Sequence, residues 1–306
     1  MMRPQKVIVF AALLGASTVL GPGGAVTGAL ADEGRGDGML GSWSIGFAGP
    51  GRSSVRESES AYELRTGMID LERGSMAGSA KVLQFNWSGE HDLVGDSHGR
   101  VPWGRLYHLD LGLRRSGVLT PRLMYAALLG ITTGFEEELD RSVSGYGGAY
   151  GVYRLGPMWM VSVGAFYSRH QEVATDYDFV PILGISWNAQ ATSGLSVNLG
   201  LPSTDAVWRF SEVTRLTFSL EYSSAECGVY RLADDSPVRP GGYVELAGST
   251  VTLRLDTRVH GDVAIGLGVT HAIDQEFKIH DPDGHNEETY DVEKQPGLVL
   301  SVSRAF

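Results

Sequence analysis

The amino-acid sequence predicts an all-β protein whose antiparallel strands, each following the last along the chain, close into a barrel. Two observations predict this fold. From about residue 61 hydropathy repeats every two residues, the period of a strand with one apolar and one polar face. After Ala31 the sequence shows neither a convincing helical stripe nor an apolar run of about 18 residues. If this chain crosses a membrane, it must therefore do so as a closed barrel.

The first residues have the layout of a secretory signal peptide. Arg3 and Lys6 precede a mostly apolar run, and Ala29 and Ala31 supply the small residues that a signal peptidase reads. The run is shorter than the roughly 20 residues that a membrane anchor needs, so export is favoured. We assign residues 1–31 to the signal peptide, 32–60, rich in Gly, Ser and charge, to a flexible segment, and 61–306 to the barrel domain.

The alternation is clearest late in the chain. Leu216, Phe218 and Leu220 alternate with Thr217 and Ser219. Other clean segments are 107–114, 159–167, 251–259 and 263–270. The polar faces of these strands carry mainly Gly, Ala, Ser and Thr with a few charges, whereas the outer face of a soluble sandwich usually carries many large charged side chains. Small residues with paired charges favour a barrel lumen on the polar side and lipid on the apolar side.

The lengths of the connections support a membrane barrel. Short links such as 156–157 and 260–261 alternate with long polar ones at 88–102, 136–144, 168–178, 233–242 and 274–295. Bacterial outer-membrane barrels have this asymmetry, with short periplasmic turns and long extracellular loops. Following the chain from Tyr62 through these links gives about 13 strands, whereas such barrels have an even number. We expect about 12, or 14 if "GSWSIGFAG" at 41–49 supplies another strand.

The last residues, "LVLSVSRAF", alternate as a closing strand does. Together with the signal peptide and the alternating segments, they resemble a bacterial single-chain outer-membrane β-barrel. The stretch "VPILGISWNAQATSGLSVNLGLP" at 180–202 is similar to an uncharacterised class of exported barrels of unknown function. The resemblance implies that Leu298, Leu300, Val302 and Phe306 are read by the barrel-assembly machinery, with periplasmic chaperones helping during biogenesis. Arg304 departs from the usual apolar preference at its position.

The charged residues on polar faces are the candidate functional residues. Arg254, Asp256 and Arg258 share one strand, and Glu221 lies on the preceding strand, so cross-strand pairing is geometrically feasible. His108, Asp110, Arg154 and Arg209 are candidates for the same arrangement. These eight residues either prop the lumen closed or line a narrow pore or ligand site. The sequence leaves both readings open.

A catalytic or metal-binding signature is not evident in the sequence. Ser168 and His170 share a strand face about 7 Å apart along the chain, too far for a direct hydrogen bond between nucleophile and base without side-chain reach. Weak divalent binding by Asp281, Asp283, Glu287 and Glu288, bridging to lipopolysaccharide phosphates, is a minor alternative to a solvated hairpin tip. No cofactor is expected, and the net charge of -11 argues against a nucleic-acid partner.

The function that these features favour is a passive one. We expect an integral outer-membrane barrel, in contact with lipid and lipopolysaccharide, that is a narrow channel, a conduit for solute or lipid, or a structural envelope protein. One alternative is an outer-membrane lipid hydrolase that uses His170. Another is a soluble secreted β-barrel or sandwich that binds a ligand and buries its apolar faces.

Overall fold

The computed structural model describes residues 41–56, 60–88, 101–139, 141–170, 179–222, 228–285, 288–294 and 296–305. These residues form β1 (Gly41–Val55), β2 (Ala61–Arg73), β3 (Met76–Ser88), β4 (Arg105–Thr120), β5 (Leu123–Phe135), β6 (Val143–Arg154), β7 (Trp159–His170), β8 (Phe179–Trp187), β9 (Gly194–Leu201), β10 (Ser203–Arg209), β11 (Thr214–Tyr222), β12 (Gly228–Arg231), β13 (Tyr243–His260), β14 (Val263–His280), β15 (Glu288–Lys294) and β16 (Gly297–Ala305). None of them forms a helix long and apolar enough to span a membrane.

Antiparallel pairing closes these strands into a barrel. Consecutive strands pair from β1 to β11, and the ring continues through β13, β14 and β16 back to β1. Two short segments extend strands already in the ring. β12 follows the course of β11 along β13, and β15 runs into β16, pairing like it with β14 and β1. The described barrel therefore has 14 strands rather than about 12.

The segment at 41–49 supplies the strand that raises the count from 13 to 14. Ser42 to Gly49 pair with β16, and Gly41 to Ala48 pair with β2. The barrel therefore begins before residue 61, inside the segment 32–60 that its Gly and Ser content assigns to a flexible region. Small residues on the inner face of β1, Ser42, Ser44, Gly46 and Ala48, explain why composition alone suggests a loop. Residues 1–40, including the expected signal peptide, lie outside the described residues.

The apolar face of the strands points outward and is exposed. On β4, Leu109, Leu111 and Leu113 are exposed, while His108 and Asp110 between them are buried inside the barrel. The same alternation covers the outer wall on β7, β13, β14 and β16. A soluble protein rarely exposes so large an apolar surface. The soluble alternative, which requires these faces to be buried, is therefore inconsistent with the fold.

The two ends of the barrel differ in their connections. One end, here called the turn end, has the short links 74–75, 121–122, 155–158, 188–193, 210–213 and 261–262. The other, the loop end, has the links 56–60, 89–104, 136–142, 171–178, 232–242 and 281–287, with Pro202 alone between β9 and β10. Exposed Tyr153, Trp159, Trp208 and Phe210 lie on the outer wall near the turn end. Aromatic residues in this position are typical of a membrane interface.

Inside the loop end lies the principal hydrophobic core, here called the cap core. Its buried members are Val55, Tyr62, Leu64, Leu83, Phe85, Trp103, Leu106, Val229, Tyr230, Leu232, Tyr243, Val244, Leu246, Phe277, Ile279 and Val292. They meet across the barrel interior. Phe277 on β14 lies 5.5 Å from Tyr62 on β2 and 5.4 Å from Trp103, measured between ring centroids. Because β2 and β14 are not neighbours in the sheet, these contacts fill the barrel where they occur.

Candidate functional site

The inner wall of the barrel is the candidate site, and strand register determines which residues line it. Successive pairs place one row of inner residues across seven neighbouring strands: Ser44, Asp70, Ser79, Asp110, Thr132, Ser144 and His170. Every residue of this row is polar. The row approaches the loop end as it passes from β1 to β7, because strands in a barrel are tilted against its axis.

A cluster of three charges dominates the wall at β11 and β13. Asp256 accepts hydrogen bonds from Nε of Arg254 at 3.2 Å and from Nε of Arg215 at 3.3 Å. Arg215 and Asp256 are opposite each other in the register of the two strands. We refer to Arg215, Asp256 and Arg254 as the arginine cluster. It contains two guanidinium groups for one carboxylate and so carries a surplus positive charge.

A second ion pair lies at β2 and β4. Arg114 donates two parallel hydrogen bonds to the carboxylate of Glu72, at 3.0 and 3.1 Å. Nearby, the hydroxyl of Ser44 donates a hydrogen bond to Asp70 at 2.7 Å, which holds this carboxylate close to the inner wall. Bidentate pairs of this kind fix the geometry of both partners. The interior therefore has an ordered polar lining on β1, β2 and β4.

The exposure of inner side chains on β4 increases toward the turn end. Along β4, His108 near the loop end is 1% exposed, Asp110 is 7% exposed, and the side chain of Arg114 near the turn end is 26% exposed. Above them lies the cap core, whose residues are buried. The described interior is therefore filled at the loop end and, along β4, becomes more exposed toward the turn end; we call this turn-end part of the interior the vestibule.

One sector of the inner wall is apolar, whereas the sequence predicts a lumen lined mainly by small residues and a few charges. Tyr146, Phe166 and Ile182 form one buried cluster on β6 to β8. Met124, Val152, Met160 and Ala189 form another nearer the turn end. Glycine makes room for this packing, since a Cβ on Gly112 would lie 2.6 Å from the hydroxyl of Tyr146. The polar lining is consequently concentrated on the remaining strands.

The eight predicted lumen residues lie on inner positions but do not form one network. Arg254 and Asp256 belong to the arginine cluster, whereas Glu221 is paired in register with Ser203 and Thr250. Arg209 donates to the hydroxyl of Ser196 at 2.7 Å. His108 and Asp110 lie on β4, where Nε2 of His108 meets Thr132 at 3.1 Å and Asp110 accepts from Tyr146 at 3.1 Å. Arg154 and Arg258 lie near the turn-end limits of β6 and β13.

Further charged residues on inner positions of the described strands include Asp70, Glu72, Lys81, Arg114, Asp205 and Arg215. Strand parity was the signal that could have identified them, because each alternates with outward apolar residues. Arg215 is the most consequential of these. It supplies the second guanidinium of the arginine cluster. Unlike Arg254 and Asp256, it was not among the predicted lumen residues.

The loop-end residues that carry the cap core are here called the cap. They are joined to the barrel wall where β12 meets β5, and this polar contact is here called the seam. Arg231 pairs in parallel register with Phe135, and the N–H of Glu136 donates to the carbonyl of Arg231 at 2.8 Å. The guanidinium of Arg231 donates to Glu138 at 2.8 Å and to Asp234 at 2.6 Å. Burial raises the pKa of the Glu136 carboxyl, and a hydrogen bond from the N–H of Ala233 partly offsets this effect.

The residues of the other sequence predictions have the following places. Leu298, Leu300 and Val302 lie on the outer row of β16, which pairs with β14 and β1; Phe306 lies outside the described residues. Ser168 and His170 are buried on the inner face of β7, not on the outer wall where a lipid hydrolase would need them.

The acidic hairpin near Asp281 is held by an arginine. Arg239 pairs with Asp281 at 3.1 Å and with Glu288 at 2.5 Å. Asp283 lies in the turn between β14 and β15, and Glu287 lies outside the described residues. Across the described parts of the chain, no group of three His, Cys, Asp or Glu residues is arranged to hold a metal ion.

Comparisons with known proteins give likenesses in fold only. No family model matches the chain, and no curated protein sequence matches it. An outer-membrane channel from Pseudomonas putida F1 is 10% identical with a TM-score of 0.44, over 89% of this chain and 98% of that one. The KdgM porin is 9% identical with a TM-score of 0.38, over 86% and 99%. The toluene transporter TodX of Pseudomonas putida is 10% identical with a TM-score of 0.32, over 87% and 89%. Because these scores are low, the fold rests on the chain's own strand pairing.

Proposed function

We propose that this chain is an integral outer-membrane β-barrel that acts as a narrow, passive passage for small polar solutes. The observation that supports this function best is the reversal of the usual protein surface: leucines of β4 are exposed on the outside, while ionised groups line a vestibule inside. Lipid is the solvent that suits the outer wall, and water suits the vestibule. Periplasmic turns are the short ones in such barrels, so the turn end faces the periplasm.

The cap core gives this passage a closed state. Its aromatic side chains fill the loop end, where solute would enter from outside. We propose that the cap opens by separation of the seam at Arg231 and Phe135, because this seam is the place where β12 meets β5. A closed resting state with rare openings is the expected behaviour in a bilayer.

The test of the proposed function has two parts. The protein should be recovered in the outer-membrane fraction and should migrate faster on gels when it is not boiled, since a folded barrel resists the detergent. Purified protein in planar bilayers should then give discrete, brief conductance steps. A protein found soluble in the periplasm would contradict the membrane assignment. A membrane protein that never conducts, even when its cap is weakened, would restrict it to a structural role.

The partners in biogenesis are part of the same proposal. We expect the barrel-assembly machinery to read the closing strand through Leu298, Leu300, Val302 and Phe306, and lipopolysaccharide to contact the outer wall near the loop end. Deletion of Phe306 should lower the amount of barrel in the membrane, while the conductance of each inserted molecule stays the same. The matched control is deletion of Glu287, which precedes β15 in the sequence. Normal membrane levels of the chain without Phe306 would contradict this part.

A further inference from the structure

The charges that water reaches in the vestibule are mainly those of arginines. In the pair of Arg114 and Glu72, the arginine side chain is 26% exposed and the glutamate 14%. Arg215 is 42% exposed and Arg254 is 21% exposed, whereas their shared partner Asp256 is 13% exposed. In each of these pairs the guanidinium is the group nearer to solvent. A solute in the vestibule therefore meets positive charge first.

The carboxylates are held back because the wall supplies donors or space for them. Ser44 donates to Asp70, Tyr146 to Asp110, and the amide of Asn198 to Asp205 at 3.2 Å. Asp256 lies over a glycine of the neighbouring strand, since a Cβ on Gly266 would come 2.5 Å from its Oδ1. These contacts reduce the access of carboxylates to solvent while the long arginine side chains extend from the wall.

The arginine cluster adds a local surplus of charge to this general arrangement. Asp256 neutralises one guanidinium, and two approach it. Arg209 and Arg258 add two more positive charges on the turn-end halves of β10 and β13, and Asp205 opposes one of them. Glu221, on the inner face of β11, lies further toward the loop end, at the β10–β11 pair with Ser203, and interacts electrostatically with Arg254. On the inner strand positions near the turn end, four arginines therefore face two carboxylates, and the net charge there is positive, whereas Glu212 and Asp262 lie in the turns beyond the strands.

We propose that the vestibule selects anions and that Arg215 and Arg254, flanking Asp256, form the binding site for solutes that carry a carboxylate or a phosphate. This inference rests on the proposed function as a passage and names its solute class. A guanidinium presents a planar set of N–H donors that matches two oxygens of either group. Both guanidiniums contact Asp256 through Nε, and the terminal nitrogens are the donors that a solute oxygen would use in this proposal. Cations are disfavoured at the same place by the surplus charge.

The first test is the reversal potential of the channel in a gradient of KCl. The unmodified protein should pass chloride in preference to potassium. Arg215→Gln with Arg254→Gln should lower the chloride-to-potassium permeability ratio by more than about fivefold, since one unit charge at contact distance in water is worth a factor of about five and two are removed. Asp256→Asn should raise the ratio. Arg56→Gln is the matched control, because Arg56 is an exposed arginine paired with Glu293 at the loop end. The permeability ratio of this variant should equal that of the unmodified protein.

A second measurement needs no conductance. Chloride exchanging at a protein site broadens the chloride NMR line, and added inorganic phosphate or acetate should remove the broadening if it competes for the same guanidiniums. The broadening should fall in the double variant and persist in Arg56→Gln. Competition by phosphate but not acetate would identify phosphate as the solute group, and the converse would identify carboxylate.

The outcomes separate the two proposals. A current that prefers potassium, or broadening that the double variant leaves unchanged, would overturn the anion site. A complete lack of current from every variant, including one with a weakened cap, would overturn the passage, and the NMR result would then decide the anion site by itself. Anion preference that is lost in the double variant and retained in Arg56→Gln would establish it. Native migration of the unboiled variants on gels shows that each one has folded.

Discussion

Replacing Trp103 by Ala should open the cap without unfolding the barrel. The indole is buried between Phe85, Trp87 and Phe277, with ring centroids 5.2 to 5.8 Å away in edge-to-face geometry. The indole Nε1 has no hydrogen-bond partner among the described residues, so removing the ring leaves no polar group without a partner. The hydrogen bond from Trp87 to the backbone carbonyl of Trp103 survives the change. The loss is therefore one of apolar packing.

The size of the effect follows from that packing. Truncating a buried Trp to Ala costs about 3–5 kcal/mol. Since each 1.4 kcal/mol is a factor of ten, the equilibrium between closed and open cap should shift by roughly a hundredfold to a few thousandfold. Trp103→Phe keeps an aromatic ring in the core and should shift the equilibrium much less. The outer wall is untouched by either substitution, so the yield of folded barrel should not change.

Two assays measure this shift. Single-channel recording in planar bilayers reports the open probability, which should rise strongly in Trp103→Ala. Limited proteolysis of the protein in vesicles reports cap opening directly, because cleavage at the loop end follows the population of the open form. If Trp103→Ala conducts and resists protease as the unmodified chain does, the cap core does not close the passage, and the gating part of the proposal is wrong.

Three further changes test the outer wall, the inner packing and the cap seam. Leu111→Arg places a charge on the apolar band and should destabilise the folded barrel in lipid by about 2–4 kcal/mol if it lies near the midplane, measured by urea unfolding in vesicles; equal stability would contradict a lipid-facing wall. Gly130→Ala should lower the temperature at which the unboiled gel band is lost, because its Cβ would overlap the ring of Tyr146, whereas Gly145→Ala, with open space around it, should not. The pKa of Glu136 is raised by burial, so the folded cap holds this proton more tightly than the unfolded chain does, and cap stability should fall as pH rises from 4.5 through the raised pKa. Glu136→Gln should reduce that dependence of proteolysis on pH, and an unchanged pH profile would show that another group is responsible.

Strand alternation was sufficient to predict the barrel but not all of its strands. Residues such as Leu253 and Arg254 alternate so regularly that their faces follow from sequence. The strand at 41–49 was harder, because its inner face consists of Gly, Ser and Ala, which are also the residues of flexible segments. Its pairing with β2 and β16 depends on closure of the whole ring. Closure is a long-range property that no local window contains.

The candidate site shows the same division between local and long-range information. Parity places Arg254, Asp256 and Glu221 on the inner face, but it does not give the register between strands. Register puts Arg215 opposite Asp256 and moves Glu221 away from it. The cap core was not predicted for a related reason. Tyr230 and Tyr243 pack across the interior with partners far away in the chain.

The orientation of the two faces is tested most directly by quenching tryptophan fluorescence with brominated lipids. Trp208 is exposed on the outer wall, and Trp103 is buried in the cap core. Two variants, each retaining one of these tryptophans, would be refolded in vesicles made with and without brominated acyl chains. The barrel in lipid predicts strong quenching of Trp208 and little quenching of Trp103. Equal quenching of both, or none of either, would contradict an outer wall that faces lipid around a closed interior.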